Sequence, residues 1–387
     1  MFYELAAPTF ADAENKALKD VIDSGFFTMG EKVSAFEQAF ADYHDKQYGV
    51  MVNSGSSANL LAVAALFFKK DRPLQRGDEV IVPAIAWATT YHPLQQYGLK
   101  LRFVDIDLET LNVDIEQLEA AITDKTRLIV GVSILGNSAP LDKMRQLADE
   151  RDIYFIEDNC ESLDASLNGK KAGTFGDAGT FSFFFSHHIS TMEGGMILTD
   201  DEEYCHLLRS LRAHGWTRDI PHDSSLYERT DNDLFEAYRF ILPGYNVRPG
   251  ELHGAAGLEQ LKRLPEMTQA RRENLKYFQQ LFATDTRFIL QKEYGQSSAF
   301  CFTLIVKPDL GIKRETIFAK LKQADIGFRM ITGGNFLRHD ALKFFDYSIF
   351  GDVKNADIAH DFGFFVGNHP FDIRQQLDSL KAALAEI

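Results

Sequence analysis

Shortages in this chain narrow its chemistry before any motif is read. It has three cysteines, Cys160, Cys205 and Cys301, far apart and without a C-x-x-C pair. They read as ordinary thiols of a reducing compartment. Three also fall short of the four thiolates that a usual two-iron iron–sulfur centre takes from one chain, so no iron–sulfur cluster and no metal site is expected. Positive charge is scarce. The net charge of −15 argues against broad contact with nucleic acid or anionic membranes, though it leaves room for a local basic pocket. The longest apolar stretch, Leu60 to Phe68, is too short to span a bilayer. Met1 to Pro8 lacks the basic and apolar regions of a secretory leader, so a soluble cytoplasmic protein is the expectation. Finally, no lysine occurs between Lys171 and Lys262.

What is present reads as an α/β protein of more than one core. At 387 residues two domains are the natural expectation, placed at 1–262 and 263–387. Short runs rich in β-branched and aromatic residues, at 79–83, 101–105, 127–133 and 153–158, alternate with helical-length segments at 114–121 and 141–149. That alternation predicts a mostly parallel sheet covered by helices. Beyond Pro265, a charged helix over 269–282, a strand within 298–306 and a helix over 315–324 predict a smaller α+β domain. The polar stretch 217–233 is long enough to suggest a functional loop.

Several segments carry chemistry. Asn53-Ser-Gly-Ser-Ser-Ala-Asn59 precedes an apolar helix, where free N–H groups, hydroxyls and the helix dipole suit a phosphate; a plain serine cap is the alternative. Ser182 is a second phosphate-ligand candidate, or simply a strand serine. Asp158 closes a strand at its carboxyl end, where open α/β sheets bind ligands, and could meet the protonated nitrogen of a pyridine ring. Trp87 offers a flat face, although a lone tryptophan is as readily core.

The order and spacing of these segments resemble the DegT/DnrJ/EryC1/StrS nucleotide-sugar aminotransferases, which have the fold-type-I pyridoxal phosphate (PLP) architecture of aspartate aminotransferase. The resemblance runs nearly end to end, through Phe27-Thr-Met29-Gly30, the serine-rich motif, Ile156-Glu-Asp158-Asn-Cys-Glu161 and Gly244-Tyr-Asn246-Val-Arg248. It implies that Ser56, Ser57 and Ser182 hold the cofactor phosphate, Trp87 stacks on the ring, Asp158 meets its nitrogen and Glu161 lies near its phenolic oxygen. Asn246 and Arg218 would reach a neighbour's cofactor, so the active unit would be a homodimer with shared sites. Met29, His214, Arg248, Arg329 and Phe336 are the expected substrate contacts.

One position departs from the family pattern. Five residues after Ser182, where its aminotransferases carry the lysine that binds the cofactor, stands His187. Imidazole moves protons but cannot hold an aldehyde as an imine. The neighbouring His188 is expected to pack or to hydrogen-bond. Within the family this substitution resembles the sugar 3-dehydratases, which use the aminated cofactor, pyridoxamine phosphate (PMP). The resemblance implies a GDP-linked 4-keto-6-deoxy sugar as substrate, L-glutamate as amine donor, release of ammonia, and His187 as both base and acid. Two alternatives stand beside it: a nucleotide-sugar 4-aminotransferase, and a non-catalytic PLP-binding sensor. The first lacks its amine at the expected place. The second would not need the retained Trp87, Asp158, Ser182 and Asn246.

Overall fold

The computed structural model describes residues 2–385 and 387. In chain order its strands are β1 (Tyr48–Val52), β2 (Glu79–Pro83), β3 (Lys100–Val104), β4 (Thr126–Val132), β5 (Tyr154–Asp158), the short hairpin β6 (Ser166–Leu167) and β7 (Lys170–Lys171), β8 (Ala178–Ser182), β9 (Gly195–Thr199), β10 (Phe288–Leu290), β11 (Cys301–Val306), β12 (Phe328–Arg329), β13 (Tyr347–Ile349) and β14 (Gly363–Gly367). The large sheet has the order β1-β9-β8-β5-β4-β2-β3-β13. Only β9 runs against the others in it. This is the expected mostly parallel α/β sheet. The central strands bury both faces, since β5 (Tyr-Phe-Ile-Glu-Asp) and β8 (Ala-Gly-Thr-Phe-Ser) are buried at every position. Such strands survive only when helices cover both sides.

The helix Gly55–Leu66 lies across the middle of this sheet. Its start is set by Ser54, whose side chain accepts the N–H of Ser57. From Ala58 onward it is small or aliphatic and almost wholly buried, because it packs against the sheet on one side and the helix Glu202–Arg212 on the other. Beside the edge strand β1, buried Arg212 pairs with buried Glu37 and also donates to the Met51 carbonyl at 2.8 Å.

The second core surrounds the antiparallel sheet β10-β11-β14-β12 and is built from Phe278, Phe302, Phe364, Leu377 and their neighbours. The boundary expected at 262/263 falls inside one continuous helix, Glu251–Phe282. That helix also runs through Pro265 instead of restarting at Gln269. Leu261, Leu264 and Met267 are buried along its inner face, and that anchorage offsets the missing proline N–H. Several segments cross between the cores: β13 returns to pair in parallel with β3, Tyr3 bridges Ile326, and Phe336, Leu342 and Ala356 pack into the core of the large sheet. Among the described residues no helix is long and apolar enough to cross a membrane.

Candidate active site

The carboxyl ends of β5 and β8, the start of the helix Gly55–Leu66 and the start of β11 converge on a cavity of about 390 Å³. Six predicted residues line it together: Ser56, Trp87, Asp158, Glu161, Ser182 and His187. They come from distant parts of the sequence, and the crossovers of the parallel sheet place them at one rim.

Asp158 is held by donors from three directions. Its Oδ2 accepts Asn59 Nδ2 at 2.8 Å and Thr90 Oγ1 at 2.7 Å, and its Oδ1 accepts the Cys160 N–H at 3.1 Å. Asn59 is itself fixed by Thr180, whose hydroxyl donates to Asn59 Oδ1 at 2.6 Å. A buried carboxylate so restrained is oriented for a cationic partner.

The phosphate end is equally built. Ser56 Oγ lies 2.9 Å from Thr89 Oγ1, and Ser182 lines the same wall. Ser57 sits one residue further along the helix start, its hydroxyl donating to Asn53 Oδ1 at 2.7 Å. Gly55 has to be glycine here. A Cβ would fall 2.5 Å from Ser182 Cβ and 2.9 Å from Cys160 Sγ. Its absence leaves the first N–H groups of the helix facing the cavity, where the dipole favours an anion. Trp87 is 59 % exposed although it borders the cavity, which gives a planar ligand an uncovered aromatic face.

His187 follows the end of β8 and packs edge-on against Phe300, with ring centroids 5.4 Å apart. Its Nδ1 is buried without a hydrogen-bond partner among the described residues. Burial, reinforced by the Arg271 guanidinium, pushes its pKa down to about 4. The imidazole is therefore neutral near pH 7, and a weaker base than an ordinary histidine. His188 plays the packing role expected of it: it is buried, and its Nε2 lies 3.1 Å from the Ser298 carbonyl. Glu161 accepts the Leu135 N–H at 3.0 Å and touches Thr332 Oγ1 at 3.3 Å. Burial raises its pKa to about 7; the Leu135 N–H opposes this and the Asp158 carboxylate adds to it. Burial, and then the Asp158 charge, keep the Cys160 thiol protonated.

The other predicted residues stand apart from this cavity. His214, Arg218, Asn246 and Arg248 lie together on exposed loops. Ala213 bridges Asn246, Arg248 Nε donates to Asn246 Oδ1 at 3.1 Å, and Arg218 rests on the Trp216 ring. Arg329 is exposed on β12, opposite Phe365, which does line the cavity. Met29 borders a different cleft with Glu37, Arg209 and Arg212. Phe336 is 3 % exposed and stacked on Tyr91 at 4.3 Å. That places it in the core instead of at a substrate, because an aromatic filling a core layer gives the same sequence signal as a substrate contact. Sequence reasoning missed Asn59, Thr89, Thr90, Glu193, Phe300, Cys301 and Asn368. Asn59 closes the serine-rich motif, Thr89 and Thr90 closely follow Trp87, and Glu193 lies six residues after His187; Phe300, Cys301 and Asn368 had no local signal.

This arrangement can hold a phosphorylated, aromatic, nitrogen-cationic ligand and can exchange a proton beside it. The model of the DegT/DnrJ/EryC1/StrS aminotransferase family matches residues 8–360. The chain belongs to that family. Within it, the chain is 51 % identical over 380 residues to GDP-4-keto-6-deoxy-D-mannose 3-dehydratase of Yersinia pseudotuberculosis, covering 98 % of this chain and 97 % of that protein. Two solved structures of GDP-4-keto-6-deoxymannose-3-dehydratase are 49 % identical and cover 99 % of this chain and all of theirs. One, a histidine-to-asparagine variant with bound GDP-perosamine, superposes with a TM-score of 0.96. The other, with a trapped PLP-glutamate geminal diamine, gives 0.97. The fold of these relatives therefore extends over 99 % of the chain, including the segment that carries His187.

Proposed function

We propose that this chain is a GDP-4-keto-6-deoxy-D-mannose 3-dehydratase, a PLP/PMP-dependent lyase of dideoxysugar biosynthesis of the colitose type. The observation that carries the reading is His187: an imidazole whose Nδ1 has no hydrogen-bond partner among the described residues, five residues after Ser182, inside a cavity also lined by Ser56, Trp87, Asp158, Glu161 and Ser182. Overall, the sugar loses its C3 oxygen and glutamate becomes 2-oxoglutarate and ammonia, so atoms balance without an external reductant. The cofactor, when bound, supplies an electron sink and carries the amine of glutamate to the sugar's C4 carbon.

The chain's residues do the rest. Asp158 would keep the ring nitrogen protonated. Ser56, Ser57, Ser182 and the helix start would hold the phosphate, and Trp87 would cover the ring. Glu161, neutral up to about pH 7, can donate a hydrogen bond to the phenolic oxygen. His187 would take up a proton and return it to the departing C3 hydroxyl; an imidazole whose pKa is lowered to about 4 is a weak base but, once protonated, a strong acid toward that hydroxyl. A lysine there would compete by capturing the cofactor.

The active unit we propose is a homodimer with shared sites, in a cytoplasmic enzyme. Asn246 and Arg218 are exposed and line none of their own cavity; Arg218 rests on Trp216, whose ring packs with Tyr238 and Phe240, both exposed, as are Leu234 and Phe235 in the same segment. Large apolar side chains left exposed in one segment suit an interface. His214, Arg248 and Arg329 are proposed to meet the sugar nucleotide from these rims.

The test is to incubate purified protein with PLP, L-glutamate and GDP-4-keto-6-deoxy-D-mannose and to read the product by mass spectrometry. A sugar lighter by one oxygen supports the reading. A 4-amino sugar restores the aminotransferase, and cofactor binding without any turnover restores the sensor.

A further inference from the structure

We propose that Arg271 is a positioning residue for His187: from the helix Glu251–Phe282 it fixes the wall on which the imidazole packs and sets a positive charge behind it. The proposal rests on the reading of His187 as the proton carrier.

Arg271 is only 4 % exposed. Its Nη1 donates to the Asn368 carbonyl at 2.6 Å and to the Phe300 carbonyl at 3.2 Å, and its Nε has no partner among the described residues. No carboxylate is paired with it among the described residues. A buried cation satisfied only by carbonyls is costly, so its location is informative. Both carbonyls belong to the cavity wall, since Phe300 and Asn368 line it. Asn368 closes the brace. Its Nδ2 donates back to the Arg271 carbonyl at 3.0 Å and to the Ala299 carbonyl at 2.8 Å. Ala299 has a positive φ of 52°, a conformation that persists only where surroundings impose it. The residues so held make the contacts to both histidines: the Phe300 ring lies 5.4 Å from His187 and 5.5 Å from His188, and the Ser298 carbonyl meets His188 Nε2.

Several other charged or titratable groups surround His187. His188 adjoins it, and Arg272 sits beside Arg271 on the same helix. Across the cavity stand Asp158, Glu161 and Glu193, with the protonated thiols of Cys160 and Cys301. The carboxylates would favour an imidazolium; burial and then Arg271 oppose it, and they prevail. Arg271 thus acts on the ring twice, by orienting it and by keeping it neutral.

Cofactor-free protein labelled with 13C at histidine Cε1 tests this without reference to turnover, His187 being assigned by the resonance lost in His187→Asn. The wild-type resonance is expected to titrate below the ordinary histidine value. Arg271→Gln keeps a donor but removes the charge, and should raise the midpoint by about one pH unit, roughly tenfold more imidazolium at a given pH. Arg271→Lys keeps the charge and should leave the midpoint within about 0.3 units. A wild-type midpoint at or above the ordinary value, an unmoved Arg271→Gln, or equal shifts in both variants would overturn the proposal. Should Arg271→Gln not fold, Arg271→Lys decides alone: an unmoved midpoint with a displaced His187 chemical shift supports it, and a midpoint raised by a unit refutes it. A failed search for the deoxy sugar would instead strike the functional reading and leave this titration standing.

Discussion

Thr90→Val isolates the device that aims Asp158. Valine has nearly the shape of threonine, so the substitution removes one donor from Asp158 Oδ2 and leaves Asn59 Nδ2 at 2.8 Å and the Cys160 N–H at 3.1 Å. A hydrogen bond to a charged group is worth about 1.5–3 kcal/mol. The site is buried, so solvent cannot replace the lost partner. With about 2.1 cal/mol/K of unfolding entropy per residue, a loss of about 2 kcal/mol should lower the melting temperature of a chain of this length by about 2–3 °C. The same loosening should weaken PMP binding by roughly tenfold, because the carboxylate is no longer held toward the ring nitrogen. Calorimetry on cofactor-free protein and titration of PMP by quenching of Trp87 fluorescence read the two effects separately. A stability loss without a change in affinity would show that Thr90 is only a packing residue. No change in either would refute the idea that these donors position Asp158.

Other perturbations have equally definite signs. His187→Asn should bind PMP as the wild type does, yet lose about 10²–10⁴ in kcat, measured by product formation. Glu161→Gln bears on pH. The folded pKa of Glu161, about 7, lies above its ordinary value of 4.5, so the native state binds the extra proton and wild-type stability falls as pH rises from about 4.5 through 7. Glutamine keeps the Leu135 contact without ionising, so the variant should gain about 2–3 kcal/mol on the wild type by pH 8 and nothing at pH 4, read by cofactor-free melts. Arg212→Met strands the buried Glu37 carboxylate and should cost about 3–5 kcal/mol, with both residues replaced by apolar groups recovering much of it.

Much of this molecule was legible in the sequence, for physical reasons that differ by element. The parallel strands were, because burial on both faces demands continuous β-branched and aromatic runs: β2 falls at 79–83 as expected, and β3, β4 and β5 lie within a residue or so of their expected ends. The helix through Pro265 was not, since local propensity favours a break there and only tertiary burial of Leu261, Leu264 and Met267 overrides it. The return of β13 to the edge of the large sheet had no local signature either, being a short exposed strand. At the site, residues in contiguous motifs (Ser56, Asp158, Ser182, His187) were readable because strand ends and helix starts place them. Arg271, Phe300 and Asn368 were not, because their role arises from contacts that span 29 and 97 residues of chain. Phe336 shows the opposite error, an aromatic near a recognisable motif that fills the core.

The central claim is that a histidine at position 187 turns an amine-transferring scaffold toward elimination at C3. The most direct measurement is the stoichiometry of one reaction with L-glutamate and GDP-4-keto-6-deoxy-D-mannose, counting 2-oxoglutarate, free ammonia and sugar product together. The account predicts equal amounts of all three, the sugar carrying no nitrogen. Formation of 2-oxoglutarate without free ammonia, with the nitrogen found on the sugar's C4 carbon, would contradict it.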